Sequence, residues 1–184
     1  MEFSRRRLIT QPCRKLTDLR TGQTLPDTAE RVTSLEWASD NRTLFYTTED
    51  DVTKRSNKLF RHGLGGGPTG LYEEKDELFR IGVSRTRDKQ YLTLGIDSTD
   101  TTEVRYLRSD QPDGAFRVFL PREKKHRYDV DHRGGLFYIR SNKNAKNFQI
   151  LTAPTEDPDP KNWTVFAAHQ NDVLVQGVDL FKNY

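Results

Sequence analysis

The sequence predicts an all-β fold, a partial β-propeller of about three and a half four-stranded antiparallel blades, and three observations carry that reading. The first is a repeat. Trp37-Ala38-Ser39-Asp40-Asn41-Arg42-Thr43-Leu44-Phe45-Tyr46-Thr47 is echoed at Val83-Ser84-Arg85-Thr86-Arg87-Asp88-Lys89-Gln90-Tyr91-Leu92-Thr93-Leu94 and again at Val130-Asp131-His132-Arg133-Gly134-Gly135-Leu136-Phe137-Tyr138-Ile139. Each copy holds a short strand, a polar turn and a run of large apolar or β-branched residues. The runs begin at Leu44, Tyr91 and Leu136, 47 and 45 residues apart, close to the period of a propeller blade. The second is aromatic content: ten Phe, seven Tyr and two Trp fall within strand-like runs, which opposes the disorder that high charge and few apolar residues would otherwise suggest. The third is that no segment shows a convincing helical period.

Taken in order, residues 1–15 read as a basic lead-in, disordered or foreign to the natural chain, and residues 16–184 as the propeller domain. Leu16 to Leu25 reads as a strand, a Thr21-Gly22 turn and a second strand, ended by Pro26-Asp27. The first full unit opens near Ser34, with Leu35 and Trp37 turned inward and Asp40-Asn41 as the turn. Leu44-Phe45-Tyr46 is a near-continuous apolar strand, as befits one sandwiched between neighbouring blades. Lys58 to His62 is its third strand and Leu71 to Glu74 its fourth.

The second unit runs from Phe79 through Tyr91 to Ile96. Glu103-Val104-Arg105-Tyr106-Leu107 then alternates as an outer strand should. Gln111-Pro112-Asp113-Gly114 is a turn in which Pro sets φ and Gly permits a positive one, and Phe116 to Leu120 closes the unit. The third spans Tyr128, Phe137 to Ile139, Phe148 to Leu151 and Trp163 to Phe166, interrupted by the Pro-rich acidic loop 154–160. Val173 to Phe181 begins a fourth. A blade cannot bury both faces alone, so this architecture needs stacked neighbours.

Thirty basic against 27 acidic residues leave a net charge of only +3, which calls for neither a nucleic acid nor a membrane partner. No apolar run is long enough to cross a bilayer. Arg5-Arg6-Arg7 lacks the apolar segment that an export signal requires after it. Lys75-Asp76-Glu77-Leu78 is internal and so cannot act as an ER-retention signal. Cys13 is the single cysteine, so no internal disulfide forms and a reducing, cytoplasmic compartment is expected.

Each stretch that could carry chemistry also has a blander reading. Gly65 to Gly70 formally matches GxGxxG, but the acidic, strand-like Leu71-Tyr72-Glu73-Glu74 follows where a helix should, so a hairpin loop is the better reading. His62, His126, His132 and His169 show no ligand spacing and read as satisfied surface or turn residues. Ser84 lacks the second glycine of a nucleophile elbow and reads as a turn residue. Arg122 to Arg127 reads as a solvated inter-blade loop, and Glu73 to Glu77 as a charged blade rim. No catalytic, cofactor-binding or metal-ligating residue is assigned, and no cofactor is expected.

Several strings then become specific. Asp40 to Thr47, Tyr72 to Glu77, Thr101-Thr102-Glu103-Val104, Pro121-Arg122-Glu123, Phe137 to Asn142, Ala145 to Phe148, Ala153-Pro154 and Val178 to Phe181 together resemble, in order and spacing, the propeller of oligopeptidase B (protease II), in the prolyl oligopeptidase family of serine peptidases. The resemblance runs from about Leu16 to Tyr184, with a departure at Gly65 to Gly70, where the family carries small and acidic residues. It implies a seven-bladed parent propeller capping an α/β-hydrolase domain that cleaves short peptides after Lys or Arg. The serine, aspartate and histidine of that activity lie in the hydrolase domain, which is absent here. This piece would then gate substrate access by size, hold the hydrolase domain, and be inactive alone. The alternative is a half-propeller interaction module that self-associates as a homodimer or binds a peptide at an open blade edge.

Overall fold

In the computed structural model, residues 14–17 and 21–181 of the 184-residue chain are described. A two-stranded antiparallel hairpin, β1 (Arg14–Thr17) and β2 (Thr24–Ala29), precedes three four-stranded sheets. The first blade is β3 (Val32–Trp37), β4 (Thr43–Glu49), β5 (Ser56–Gly63) and β6 (Pro68–Glu73). The second is β7 (Arg80–Arg85), β8 (Tyr91–Asp97), β9 (Thr102–Arg108) and β10 (Arg117–Leu120). The third is β11 (Tyr128–Arg133), β12 (Leu136–Ser141), β13 (Gln149–Pro154) and β14 (Thr164–Ala167), with a 3-10 turn at Pro160–Asn162. Each sheet is an antiparallel meander in sequence order. The expected lead-in falls almost wholly outside the described residues.

The repeat's polar turns link the first two strands of each blade, and all three need a left-handed residue. Asn41 has φ 53°, Lys89 φ 66°, and Gly134 and Gly135 have φ 60° and 80°. In the first turn the Asp40 carboxylate accepts the backbone N–H groups of Arg42 and Thr43, both at 2.9 Å, which holds the tight reversal. Apolar runs follow because β4, β8 and β12 are second strands with a neighbouring blade on one or both faces. Phe45, Leu92, Leu94, Phe137 and Ile139 are fully buried.

Two apolar layers result. Phe45, Leu59, Ile81, Val83, Leu94 and Ile96 fill the seam between blades 1 and 2. Tyr91, Phe119, Tyr128, Phe137, Ile139 and Leu151 fill the seam between blades 2 and 3. The outermost strands β6, β10 and β14 each slip register once against their neighbour. Such irregularities bend a free edge away from straightforward pairing.

Four expectations need correction. Pro26 and Asp27 lie inside β2, which among the described residues pairs only with β1; an edge strand tolerates a proline. Glu103 to Leu107 does not alternate, because Thr102, Glu103 and Val104 are all buried where β9 packs between its neighbours. Ser84 is a strand residue of β7, its hydroxyl 2.7 Å from that of Thr93. Val173 to Phe181 forms no strand. An inner strand pairs with the second strand of its own blade, and none follows within the described residues. The segment is instead tied down by Arg140, whose Nε donates to Val175 O at 2.7 Å, and by Arg87, 3.1 Å from the Asp179 carboxylate. No described helix is long and apolar enough to cross a membrane, which says nothing about β-barrels.

Candidate functional site

Strand direction divides the molecule into two faces. In a four-stranded meander the first strand starts, and the fourth ends, on the same face. The linkers 74–79 and 121–127 and the loops between second and third strands therefore share one face, called the linker face below. The polar turns at 40–42, 87–90 and 133–135 lie on the other.

A charged clamp occupies the linker face between blades 1 and 2. Arg122, just past β10, donates from Nη2 to the Glu74 carboxylate, to the Tyr72 hydroxyl at 3.2 Å, and from Nε to Glu103 at 3.2 Å. Its guanidinium lies 4.1 Å from the Phe79 ring centroid. Glu103 also accepts from Arg105 Nε at 2.7 Å, and Arg105 stacks on Tyr72 at 4.4 Å. Tyr72 OH and the Asp76 backbone N–H donate to the two Glu74 oxygens at 2.7 and 2.9 Å. Arg55, from the β4–β5 loop, donates to the carbonyls of Glu74, Asp76 and Phe79 at 3.1, 2.9 and 2.9 Å.

Burial works to raise the Glu74 pKa, but the bonds from Arg122, Tyr72 and Asp76 outweigh it and hold the carboxyl below its ordinary range. Tyr72 is pushed up to about 12, by burial first and by its bond to Glu74 second. The clamp is thus a preorganised, ionised ion pair with both carboxylates nearly covered. Its groups are bonded to one another, so it is built to hold blades together.

The seam between blades 2 and 3 is pegged differently. Tyr128 OH accepts the Val104 N–H and donates to Leu120 O, both at 2.8 Å. His132 Nδ1 lies 2.6 Å from the Asp88 carboxylate and Nε2 3.0 Å from Thr155 Oγ1. A carboxylate only accepts, so Nδ1 donates to Asp88, while Nε2 and the Thr155 hydroxyl share the second bond. This Asp–His–hydroxyl line has the connectivity of a hydrolytic triad. Its ring, however, is packed against Tyr91 and Phe137 at 4.8 and 5.1 Å, and the Thr155 N–H is already bonded to Gly135 O. It is a strut between blades.

Three of the four histidines are therefore buried rather than on the surface, and His169 is half-buried. His62, His126 and His132 are buried, held by Asp27, Ser141 and Asp88 respectively. Likewise Arg122 and His126 leave the basic run to enter the protein, and Glu74 leaves the acidic one. Of the glycine-rich segment, Gly65 to Gly67 lie in the β5–β6 hairpin loop, with Gly65 at φ 75°, and Gly70 lies in β6. Among the described residues no three His, Cys, Asp or Glu side chains gather around a common point.

Burial depresses the His126 pKa. A base whose folded pKa is lowered binds more protons when unfolded, so stability falls as pH drops below about 6.5 toward the folded value. His126→Gln is expected to flatten urea-unfolding stability between about pH 7 and 5. An unchanged slope in that window would remove His126 as its source.

The family model for the prolyl oligopeptidase N-terminal β-propeller domain matches residues 14–184. The chain belongs to this family. Dipeptidyl aminopeptidase BI of Pseudoxanthomonas mexicana is 38% identical over 175 residues, covering 92% of the chain and 24% of that protein. Protease 2 of Moraxella lacunata is 31% identical over 152 residues, covering 79% and 22%. Among solved structures, oligopeptidase B from Leishmania major superposes with a TM-score of 0.82 at 30% identity, over 90% of this chain and 24% of that one. The chain thus spans about a quarter of the length of these relatives.

Three of the strings that carry the family resemblance, Tyr72 to Glu77, Thr101 to Val104 and Pro121 to Glu123, converge on the clamp. Nothing in the linear order shows that they meet, because 48 residues separate Glu74 from Arg122. The one available signal was a charged residue amid strand text, Glu103 above all.

Proposed function

We propose that this chain forms three successive blades of the propeller of an oligopeptidase B-like serine peptidase, where it limits access to a catalytic domain docked on the linker face. Strand topology supports that choice of face. Every blade begins and ends there, so a domain joined in sequence to a propeller of this kind attaches most directly on that side. Exposed Leu78 and Val52 lie on the same face, apolar side chains available to a covering domain. The substrate class, short peptides cut after Lys or Arg, follows from the resemblance to oligopeptidase B. The chain itself supplies walls and hydrogen bonds, and no step of bond cleavage.

A chimera tests this. Residues 14–181 replace the matching quarter of Pseudoxanthomonas mexicana dipeptidyl aminopeptidase BI, and hydrolysis is followed on short Lys- and Arg-containing peptides and on a folded protein. The expected chimera cleaves the short peptides and spares the folded protein, while the 184-residue chain alone cleaves neither. A folded chimera that digests the folded protein, or activity in the isolated chain, overturns the proposal.

A further inference from the structure

Blade 2 lacks, on the face it turns toward blade 3, the side chains with which blade 1 fills the matching seam. In blade 1, Ser34 on β3 lies opposite Thr47 on β4, and their hydroxyls bond at 2.6 Å. Ser34 Oγ also accepts the Val83 N–H of β7 at 2.8 Å, closing the seam to blade 2. Both positions recur 48 residues later as Gly82 on β7, opposite Gly95 on β8. A glycine inside a strand often marks a place where a ligand or another backbone comes close. Here two of them face each other across one ladder.

The opposed glycines border a cavity of about 370 Å³ between blades 2 and 3. Ser84, Thr93, Asp97, Arg127, Asp129 and Arg140 contribute its polar wall. Most of these groups are already engaged. Ser84 and Thr93 bond each other, and Arg140 holds Asp129 at 3.1 Å and Val175 O at 2.7 Å while stacking on Phe148 at 3.6 Å. Asp97 is different. It accepts the Thr102 hydroxyl at 2.8 Å and, among the described residues, is in no ion pair within 4.0 Å. Desolvation holds its pKa above the ordinary value, against the Thr102 bond and the more distant Arg127. Asp97 ends β8, Thr102 begins β9 and Asp129 lies at the start of β11, so the cavity opens at the linker-face end of the seam.

We propose that this cavity is a subsite for the cationic side chain of a peptide, a guanidinium or alkylammonium, received by the Asp97 carboxylate beside the Gly82–Gly95 backbone. That the peptide is a substrate rests on the function proposed above; that the cavity binds the cation does not. Charge-assisted hydrogen bonding supplies the attraction, and the missing side chains supply the room.

The test uses the ¹⁵N-labelled 184-residue chain, titrated with N-acetyl-arginine amide, glycine amide and N-acetyl-glutamate amide while the Gly82 and Gly95 amide signals are followed. N-acetyl-arginine amide is expected to shift both signals saturably, with a dissociation constant on the order of millimolar, and the other two probes to leave them in place. Asp97→Asn is expected to weaken the effect at least about tenfold, roughly one charge-assisted hydrogen bond. Gly82→Ser with Gly95→Thr copies the blade 1 pair into blade 2 and is expected to abolish it. The chain has room for that pair: a Cβ at Gly82 meets only Ser34 Oγ at 3.8 Å, and one at Gly95 meets the movable Asp97 Oδ2 at 3.1 Å. Absence of a shift up to roughly 50 mM probe, or shifts that survive both variants, overturns the subsite. Equal shifts with the glutamate probe do the same. Shifts with glycine amide alone replace the side chain with a peptide amino terminus and overturn the assignment as stated. Binding in the titration with an inactive chimera leaves the subsite standing and sinks the substrate role.

Discussion

Replacing Phe137 with alanine is expected to destabilise the chain by about 4 kcal/mol, within the range for a fully buried aromatic. Phe137 has no solvent exposure. Its ring centroid lies 5.1 Å from Tyr91, 5.4 Å from Tyr106, 5.2 Å from Phe119 and 5.1 Å from His132, all tilted or edge-on. Edge-to-face pairs add to area burial, and one truncation removes four such contacts at once. The gap cannot close freely, because one of its walls, the His132 ring, is fixed by its hydrogen bond to Asp88. For a domain of this size the loss is a fall in Tm on the order of 10 °C. Blade 3 has one described neighbouring blade, so its docking depends on this layer. Trp163, stacked on Phe119 at 6.0 Å, reports that docking through its fluorescence, and its transition is expected to precede the far-ultraviolet circular dichroism change in Phe137→Ala. The exposed control Val52→Ala is expected to stay within about 0.5 kcal/mol of the parent. A Phe137→Ala loss below about 1 kcal/mol would mean that the aromatic layer does not seat blade 3.

Phe137 was visible in the sequence because it sits in an apolar run at the repeat period, and that is true of most of the fold. Second strands are sandwiched, so Leu44-Phe45-Tyr46 and Tyr91-Leu92-Thr93-Leu94 appear as continuous runs. The turns before them need positive φ, so they appear as Asp-Asn, Asp-Lys and Gly-Gly. What periodicity misreads is the third strand. Glu103 and Arg105 look like the solvent face of an alternating strand, yet Glu103 is buried in the clamp. A strand between two blades has no solvent face, and a paired charge can stand where an apolar residue is expected. Val173 to Phe181 shows the opposite limit. Its text is strand-like, but no partner strand follows within the described residues and the segment forms none.

The site was less legible than the fold, because its contacts are long-range. Glu74 and Arg122 each lie inside a charged stretch whose bland reading is a solvated rim or loop, and Glu103 lies in a strand whose bland reading is an outer, half-solvated one. Only three-dimensional pairing separates them from Glu73, Glu77 and Lys124, which are exposed. Gly82 and Gly95 were equally silent. A glycine in a strand carries no chemistry, and its meaning appears when the register sets it opposite another and shows blade 1 carrying Ser34 and Thr47 in the same places.

The clamp leads to the second large expected effect, in Arg122→Ala. Exposed ion pairs contribute at most about 1 kcal/mol, whereas removing one partner of a buried pair costs about 3 to 5 kcal/mol, because the other charge stays buried and unpaired. The carboxylate side chains of Glu74 and Glu103 are 5% and 9% exposed, and the Arg122 side chain 26%. That places the effect near the lower end of the buried range, at about 3 kcal/mol in urea unfolding. Arg122→Lys keeps the charge but loses the fork that reaches both carboxylates, so it is expected to recover less than half. Arg122→Ala combined with Glu74→Gln is expected to be more stable than Arg122→Ala alone, since the neutral amide removes the stranded charge. The pH dependence has a definite sign. Glu74 has a lowered folded pKa, so its contribution is present above the unfolded carboxyl value, near 4.3, and is lost as pH falls through the folded one. Without Arg122, burial dominates and the Glu74 pKa rises, so the acid unfolding limb of Arg122→Ala moves to higher pH. An acid limb that stays in place, with a loss under about 1 kcal/mol, would make the clamp an ornament of the surface. The stated outcome would make it the fastening that sets blade 2 on blade 1 and keeps the linker face in one shape.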